Sequence, residues 1–193
     1  MAVLHYVART ITENPGYMQA KVCVPASELN GMHAGQVVVA ENLDTKLGNG
    51  NYDVYVPEKV QDATKQNIAI ILDGGFETLA DGRRPDGNSD YTQYTFKPGE
   101  VVTAHRLLPE VRFEVSKDAC GSTVKEQSPV VPGDKLIPEN GQFDLKYEAK
   151  GTPVTAKNYL MVEATKYFRV GGQSGMEFAT TFVVRANAAG IPA

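Results

Sequence analysis

The three histidines are the first residues to consider for chemistry, because imidazole is both a common metal ligand and a base near neutral pH. They are His5, His33 and His105, and their separations fit none of the spacings that metal sites use. His105 lies in a strand-like run of residues. We therefore predict that His105 is a hydrogen-bonded structural histidine, and we expect no catalytic, metal-binding or cofactor-binding residue in the set.

A serine nucleophile is the second possibility, because Ser174 lies in the glycine-rich sequence GGQSG. A nucleophile elbow needs glycine two residues after the serine, but Met176 occupies that position. Hairpin-turn residues explain these glycines better. The sequence also lacks a phosphate loop of the GxxxxGK type and a Rossmann glycine pattern. The sequence therefore predicts that the protein is not an enzyme.

A long polar stretch from Asp73 to Asp90 contains five acidic residues, counted as Asp73, Glu77, Asp81, Asp86 and Asp90. They lack the alternating spacing of a calcium-binding EF-hand loop, so we expect no metal there. Arg83 and Arg84 can pair with these carboxylates or reach a partner protein, because a guanidinium group binds carboxylates through two parallel hydrogen bonds. A solvated surface loop remains the alternative.

Composition limits the classes of partner. The chain has 193 residues and a net charge of −4, with no block of basic residues, so we expect no nucleic-acid binding. No apolar run approaches the roughly 20 residues that span a bilayer, and the N-terminal sequence does not resemble a secretory signal. We predict buried free thiols at Cys23 and Cys120, with a disulfide as the alternative.

Periodicity predicts the elements that position these residues. The apolar run from Ile68 to Leu72 indicates a strand buried on both faces. Further along, Val111, Phe113 and Val115 alternate with three polar residues, which predicts a strand with one buried and one wet face. The wet residues are Arg112, Glu114 and Ser116.

Turn signals recur between the strands. A small residue or proline followed by glycine precedes three β-branched or apolar runs, at Gly35, Gly99 and Gly133, which predicts a tight turn before each strand. The segments 159–170 and 176–185 flank GGQSG and predict a C-terminal hairpin with Phe178 and Phe182 on one face. The best helix candidate is the short segment from Glu58 to Gln66.

Together these patterns predict an all-β fold, a Greek-key-like barrel or sandwich with long loops and an extended N-terminal arm. The predicted divisions are an arm over residues 1–20, a main β domain over 21–119, a variable Pro/Gly-rich connection over 120–141, and a hairpin region over 142–193 that packs on the same core.

The chain also resembles the head decoration, or cement, proteins of tailed bacteriophages. The resemblance lies in the order of four segments and covers most of the chain except residues 120–141. The segments are ARTITENPGYMQAKV, AGQVVVAENLD, DGGFETLADGRRPDGNSDYTQYTFKPGEVVTAHRLLPEVRFEVSKDA and YLMVEATKYFRVGGQ.

This resemblance implies a virion structural protein that is made in the host cytoplasm and binds the outer surface of the major capsid protein lattice. It also implies self-association as a dimer or trimer, with no catalytic residues. We expect partner contacts in the polar loop and the arm, at Arg83, Arg84, Asp86, Tyr6, Arg9 and Tyr17.

Two other classes remain open. A tail or baseplate module that recognises a host surface ligand would need a pocket with clustered aromatic residues. A cell-wall hydrolase would need paired carboxylates or a metal in a cleft, and no spacing in the sequence pairs the carboxylates.

Overall fold

The computed structural model describes residues 4–11, 19–44, 54–64, 66–73, 94–172 and 175–187, with the backbone alone at 168–172 and 175–178. Over these residues the chain is nearly all β and forms two sheets, which confirms the predicted fold class of an all-β barrel or sandwich. The strands are β1 (Ala8–Thr10), β2 (Gln19–Cys23), β3 (Val37–Val39), β4 (Val54–Tyr55), β5 (Ile68–Ile71), β6 (Val101–Arg106), β7 (Arg112–Ser116), β8 (Lys135–Pro138), β9 (Leu145–Glu148), β10 (Tyr159–Gly172) and β11 (Gly175–Asn187). A short helix, α1 (Ser122–Glu126), follows a 3-10 turn at Lys117–Ala119.

The first sheet has six strands in the order β1-β7-β11-β10-β8-β9, and the second has five in the order β3-β5-β6-β2-β4. Neighbouring strands are antiparallel except β2 and β4, which are parallel. The predicted C-terminal hairpin is confirmed as β10 and β11, which pair from Tyr159↔Asn187 to Gly172↔Gly175. The hairpin contributes the two central strands of the first sheet.

The main core lies between the two sheets, because its cluster of buried apolar residues draws on strands of both. Within the second sheet, β5 is buried on both faces, whereas β2 has one exposed face. Ile68 and Ile70 belong to this main core, whereas Ala69 and Ile71 belong to a second cluster on the opposite face. All four residues are buried, which confirms the prediction of a doubly buried strand.

Strand β7 follows the predicted alternation with one exception. Phe113 and Val115 are completely buried, and Arg112 is exposed. Ser116 was expected on the wet face, but it is completely buried. The reason is that its hydroxyl accepts a hydrogen bond from the Val7 N–H (2.9 Å) and donates one to the carbonyl oxygen of His5 (2.6 Å).

This contact also corrects the prediction of an extended arm for residues 4–11, whereas residues 1–3 and 12–18 of that arm lie outside the described residues. Residues 4–11 are docked on the core, because β1 pairs with β7 and both Val7 and Ala8 are completely buried. Gln19 and Ala20 already belong to β2. The pairing of β1 with β7 and the burial of Val7 and Ala8 therefore hold residues 4–11 against the core.

The three predicted turns are confirmed and share one geometry. Gly35, Gly99 and Gly133 have φ angles of 89°, 88° and 92°, which favour glycine, and a strand begins two residues after each. In each turn a side-chain oxygen accepts a hydrogen bond from the backbone N–H three residues earlier: Gln36 from His33 (3.1 Å), Glu100 from Lys97 (2.9 Å) and Asp134 from Val131 (2.8 Å).

The predicted helix over Glu58–Gln66 is wrong. Glu58 forms a bridge with Val39, and the side-chain oxygen of Gln66 accepts hydrogen bonds from the N–H groups of Gln61 (2.7 Å) and Asp62 (2.8 Å). Polar side chains thus satisfy backbone donors that a helix would pair internally, which is the usual competition between such residues and helix formation.

The segment over 120–141, predicted as a variable connection, contains defined structure. It includes α1 and β8, and it protects the outer edge of β9. The Gly121 N–H donates to the Leu145 carbonyl (2.9 Å), and the Thr123 hydroxyl accepts from the Tyr147 N–H (3.0 Å). Covering an edge strand in this way limits pairing with other chains.

We predict that Phe113→Ala lowers the free energy of unfolding by about 3–5 kcal/mol, because it removes a completely buried ring from the main core. Arg112→Ala should cost only about 1 kcal/mol or less, because it removes a partly exposed ion pair with Glu163. Urea unfolding of both variants tests this, and equal losses would contradict the assignment of the two faces.

We predict that Ser116→Ala costs about 1–3 kcal/mol, because the buried Val7 N–H then loses the hydroxyl that accepts its hydrogen bond. Ser122→Ala, at an exposed position on α1, is the matched control and should change stability little. Hydrogen exchange at Val7 reports the local effect. Unchanged protection of that amide in Ser116→Ala would show that the hydroxyl does not hold the N-terminal segment.

Candidate functional site

The structure describes two of the six residues predicted as partner contacts. Tyr6 and Arg9 lie on the docked N-terminal segment, whereas Arg83, Arg84, Asp86 and Tyr17 lie outside the described residues.

Tyr6 is half-buried and packs against the main core, and its ring stacks on His33 at a centroid distance of 4.0 Å. Burial, together with the nearby carboxylates of Asp118 and Asp144, raises the pKa of the Tyr6 hydroxyl. Burial also lowers the pKa of His33, whose Nδ1 lies 2.9 Å from the Ala34 carbonyl oxygen. Both pKa shifts favour the neutral form of the side chain. The stacking of the two neutral rings holds the chain just before β1.

Arg9 forms a side-chain cluster on the outer face of the first sheet. Its Nε and Nη2 atoms donate to the same oxygen of Glu114, at 3.1 and 2.9 Å. The other Glu114 oxygen accepts a hydrogen bond from the Thr181 hydroxyl at 2.8 Å. The Arg9 side chain is 38% exposed, so solvent reaches part of it.

Asp73 completes this cluster where β5 ends beside β1. Its backbone N–H donates to the Ala8 carbonyl oxygen at 2.7 Å, which links the second sheet to the edge of the first. Burial raises the pKa of the Asp73 carboxyl to about 6, while Arg9 lowers it and Glu114 raises it. Two carboxylates therefore lie near one guanidinium group, and burial opposes ionisation of the Asp73 carboxyl.

A second cluster of charges lies on the same face of the sheet, at the other end of β7 and β11. Glu163 accepts from Arg112 at 2.8 Å and from Arg185 at 3.1 Å, and Arg185 also contacts Glu110 at 3.0 Å. This network links three neighbouring strands and matches their charges. The ion pairs therefore join the strands across the polar outer face of the sheet.

The β10–β11 hairpin extends beyond its neighbouring strands. Among the described residues, β8 pairs with β10 only at Leu160–Met161, and β7 pairs with β11 only at Thr181–Arg185. From Tyr167↔Thr180 to Gly172↔Gly175 the two strands pair only with each other in this part of the structure, over roughly 17 Å at about 3.4 Å per residue. We call this part the β ribbon, and Tyr167 on it is 76% exposed.

A cleft of about 440 Å³ lies beside β8 and β9, and we call it the β8–β9 cleft. Its walls come from three places: the outer face of the β8–β9 hairpin, the turn at 62–64 and the segment 153–156. Asn158 holds the turn in position, because its side-chain amide donates to the carbonyl oxygens of Ala63 (2.9 Å) and Gln66 (3.2 Å). The charged residues that line the cleft are Asp62, Glu139, Lys146 and Glu148.

The remaining candidates for chemistry have structural surroundings. His105 is buried, with its Nδ1 2.7 Å from the Arg106 carbonyl oxygen and its ring edge-on to Phe113, which confirms the predicted hydrogen-bonded histidine. Both cysteines are free thiols, but only Cys120 is fully buried, and burial raises its pKa to about 12. Cys23 is half-buried, so the prediction of two buried free thiols is confirmed only for Cys120.

Within the described ranges, no group of three or more His, Cys, Asp or Glu residues could hold a metal ion. No helix among the described residues is long and apolar enough to cross a membrane. Comparisons of the chain with protein-family models, curated proteins and solved structures found no match.

Sequence reasoning missed the β8–β9 cleft. Its lining comes from four stretches, the first of which lies far from the others in sequence, and none of them carries a recognisable motif. The one available signal was the Pro/Thr-rich sequence GTPVTA before β10, which indicates an irregular segment and not a cleft wall.

We predict that Asp73→Asn stabilises the protein at pH 7.5 and has little effect at pH 4. Burial raises the folded-state pKa of this carboxyl to about 6, above its ordinary value of 3.8, so the folded state binds more protons between these two values. The contribution of the wild-type carboxyl to stability therefore falls as pH rises from about 4 through 6, and the amide does not ionise.

Each unit of pKa difference corresponds to about 1.4 kcal/mol of stability. Because the carboxyl is partly exposed, solvent screening reduces the total, and we expect a gain of about 1–2 kcal/mol. Urea unfolding at pH 4, 5, 6 and 7.5 measures it. Glu126→Gln, an exposed carboxylate on α1, is the control and should give the wild-type pH profile. A gain for Asp73→Asn that is equal at every pH would contradict the ionisation argument.

Proposed function

We propose that this protein is a virion structural protein that decorates and stabilises a bacteriophage capsid by binding the outer surface of the major capsid protein lattice. The sequence resemblance to head decoration proteins supports this role. The structural observation that supports this role is the β ribbon, a two-stranded extension beyond a tightly packed two-sheet core.

A two-stranded ribbon is marginally stable in water by itself, because its strands have few neighbours to pack against. Contact with a neighbouring protein would supply that packing. The exposed ring of Tyr167 suits such a contact, because tyrosine contributes a large rigid surface and is enriched at protein interfaces.

The core suits a cementing role because it is stiff. Strands β3 and β5 of the second sheet are buried along their whole length, and ion pairs join strands of the first sheet. A stiff body that touches several capsid subunits through separate weak contacts gains affinity, since each contact after the first is intramolecular. We propose protein partners, namely the major capsid protein and further copies of this chain as a dimer or trimer. We propose neither nucleic acid nor a membrane as a partner.

A tail or baseplate module that recognises a host ligand is the second candidate, and the β8–β9 cleft is the observation that favours it. None of the cleft's lining residues is aromatic. Sugar-binding sites commonly place aromatic rings against the ligand, so the cleft favours this candidate less than the ribbon favours assembly.

We expect the purified protein to co-sediment with phage heads that lack it, and Tyr167→Ser to reduce occupancy. Arg83→Ala with Arg84→Ala should also reduce occupancy, because these residues remain predicted contacts. Leu29→Ser is the matched control, because Leu29 is 85% exposed on a turn distant in sequence from the ribbon. Circular dichroism of each variant establishes that the fold is retained.

The outcomes separate the two candidate functions. If wild-type protein never co-sediments with heads but binds host cells or isolated tails, capsid decoration is wrong and the receptor-binding module replaces it. If Tyr167→Ser and Leu29→Ser bind heads as well as wild type, capsid decoration stands but the ribbon is not the attachment surface.

A further inference from the structure

The β8–β9 cleft has a mainly polar lining over a base of buried apolar residues. Ala63, Ile137 and Pro138 are buried at its base, and Asn140 and Thr155 are exposed at its edge. A volume of about 440 Å³ lies in the range of sites that bind small ligands or short peptide segments. Its walls are fixed by the β8–β9 hairpin on one side and by the Asn158 hydrogen bonds on the other.

One wall of the cleft is a segment with free backbone groups. The backbone N–H and C=O groups of residues 154–157 form no hydrogen bond with any part of the chain that the structure describes. Exposure alternates along this segment, because Val154 and Ala156 are half-buried whereas Thr155 and Lys157 are exposed. This period of two is typical of an extended strand. The wall therefore presents the same donors and acceptors as the open edge of a sheet.

The charges around the cleft favour a cationic occupant. Among the described residues that line it, three carry carboxylates, Asp62, Glu139 and Glu148, and one carries an ammonium group, Lys146. Lys146 lies 3.5 Å from Glu148 and offsets part of that charge. Glu139 is half-buried and forms no ion pair or hydrogen bond through its side chain with the described residues, so its charge is available to a ligand.

We propose that the β8–β9 cleft binds an extended segment of a partner protein that carries lysine or arginine at alternate positions. Main-chain hydrogen bonds to residues 154–157 provide affinity, as in strand addition to a sheet edge. The carboxylates select basic side chains. This inference does not depend on the capsid role, because it concerns only the chemistry of the cleft.

The test uses the whole purified protein and a short, end-blocked fluorescent peptide that alternates lysine and valine, with binding followed by fluorescence anisotropy. Glu139→Gln should weaken binding about twofold to fivefold, as expected for one partly exposed charge pair. Glu126→Gln is the matched control, since it removes the same charge from an exposed position on α1, outside the cleft. It should leave the affinity unchanged.

Lys146→Gln gives a prediction of opposite sign. Removing the Lys146 ammonium group from the lining should tighten binding of the basic peptide by a similar factor, which a damaged fold would not do. A peptide with the same side chains but with N-methylated backbone amides should bind more weakly, because it cannot donate hydrogen bonds to the 154–157 wall.

Three results would overturn the proposal. Equal weakening by Glu139→Gln and Glu126→Gln would mean that the peptide responds only to the net charge of the protein. Equal affinity for the N-methylated peptide, together with competition by spermine, would identify a small-cation site and not a peptide site. Stronger binding of a glutamate–valine peptide would reverse the assigned charge preference.

Discussion

The burial of β5 on both faces is the constraint on which the rest of the structure depends. Its alternate residues enter two separate apolar clusters, so neither face of this strand can be open to water. The strand pairs with β3 and β6, and the residue after it, Leu72, donates a hydrogen bond to Thr103 at 3.0 Å. One more residue along, Asp73 reaches the edge of the first sheet. A single apolar run therefore determines how the two sheets meet.

This constraint also explains the unusual electrostatics near the N-terminal strand. Because β5 ends against β1, the first polar side chain after it, Asp73, enters a partly dry site beside Arg9 and Glu114. Arg9 already pairs with Glu114. The pKa of Asp73 is raised because burial opposes ionisation more than the one guanidinium group favours it. The cluster is a consequence of how the sheets join and does not require a catalytic explanation.

The two surfaces proposed for binding differ in their physical character. The β ribbon extends from the sheet and offers strand backbone and an exposed aromatic ring, which suits broad contact with a neighbouring subunit. The β8–β9 cleft is concave and carries carboxylates and free backbone groups, which suits a basic chain segment. Both surfaces are built on strands of the same sheet, so both have rigid support. A protein that joins other proteins can use one surface for docking and the other for selectivity.

The sequence by itself determined the all-β class, the doubly buried strand, the C-terminal hairpin and the three glycine turns, because these depend on local periodicity and on backbone angles that glycine adopts easily. Tertiary structure alone decided that Ser116 is buried, that residues 58–66 are not a helix and that the β8–β9 cleft exists. Each of these depends on partners far along the chain: Val7 for Ser116, Val39 for Glu58, and Asn158 for the cleft wall. A hydrogen bond to a residue tens of positions away leaves no periodic trace in a sequence, whereas an alternating buried face does.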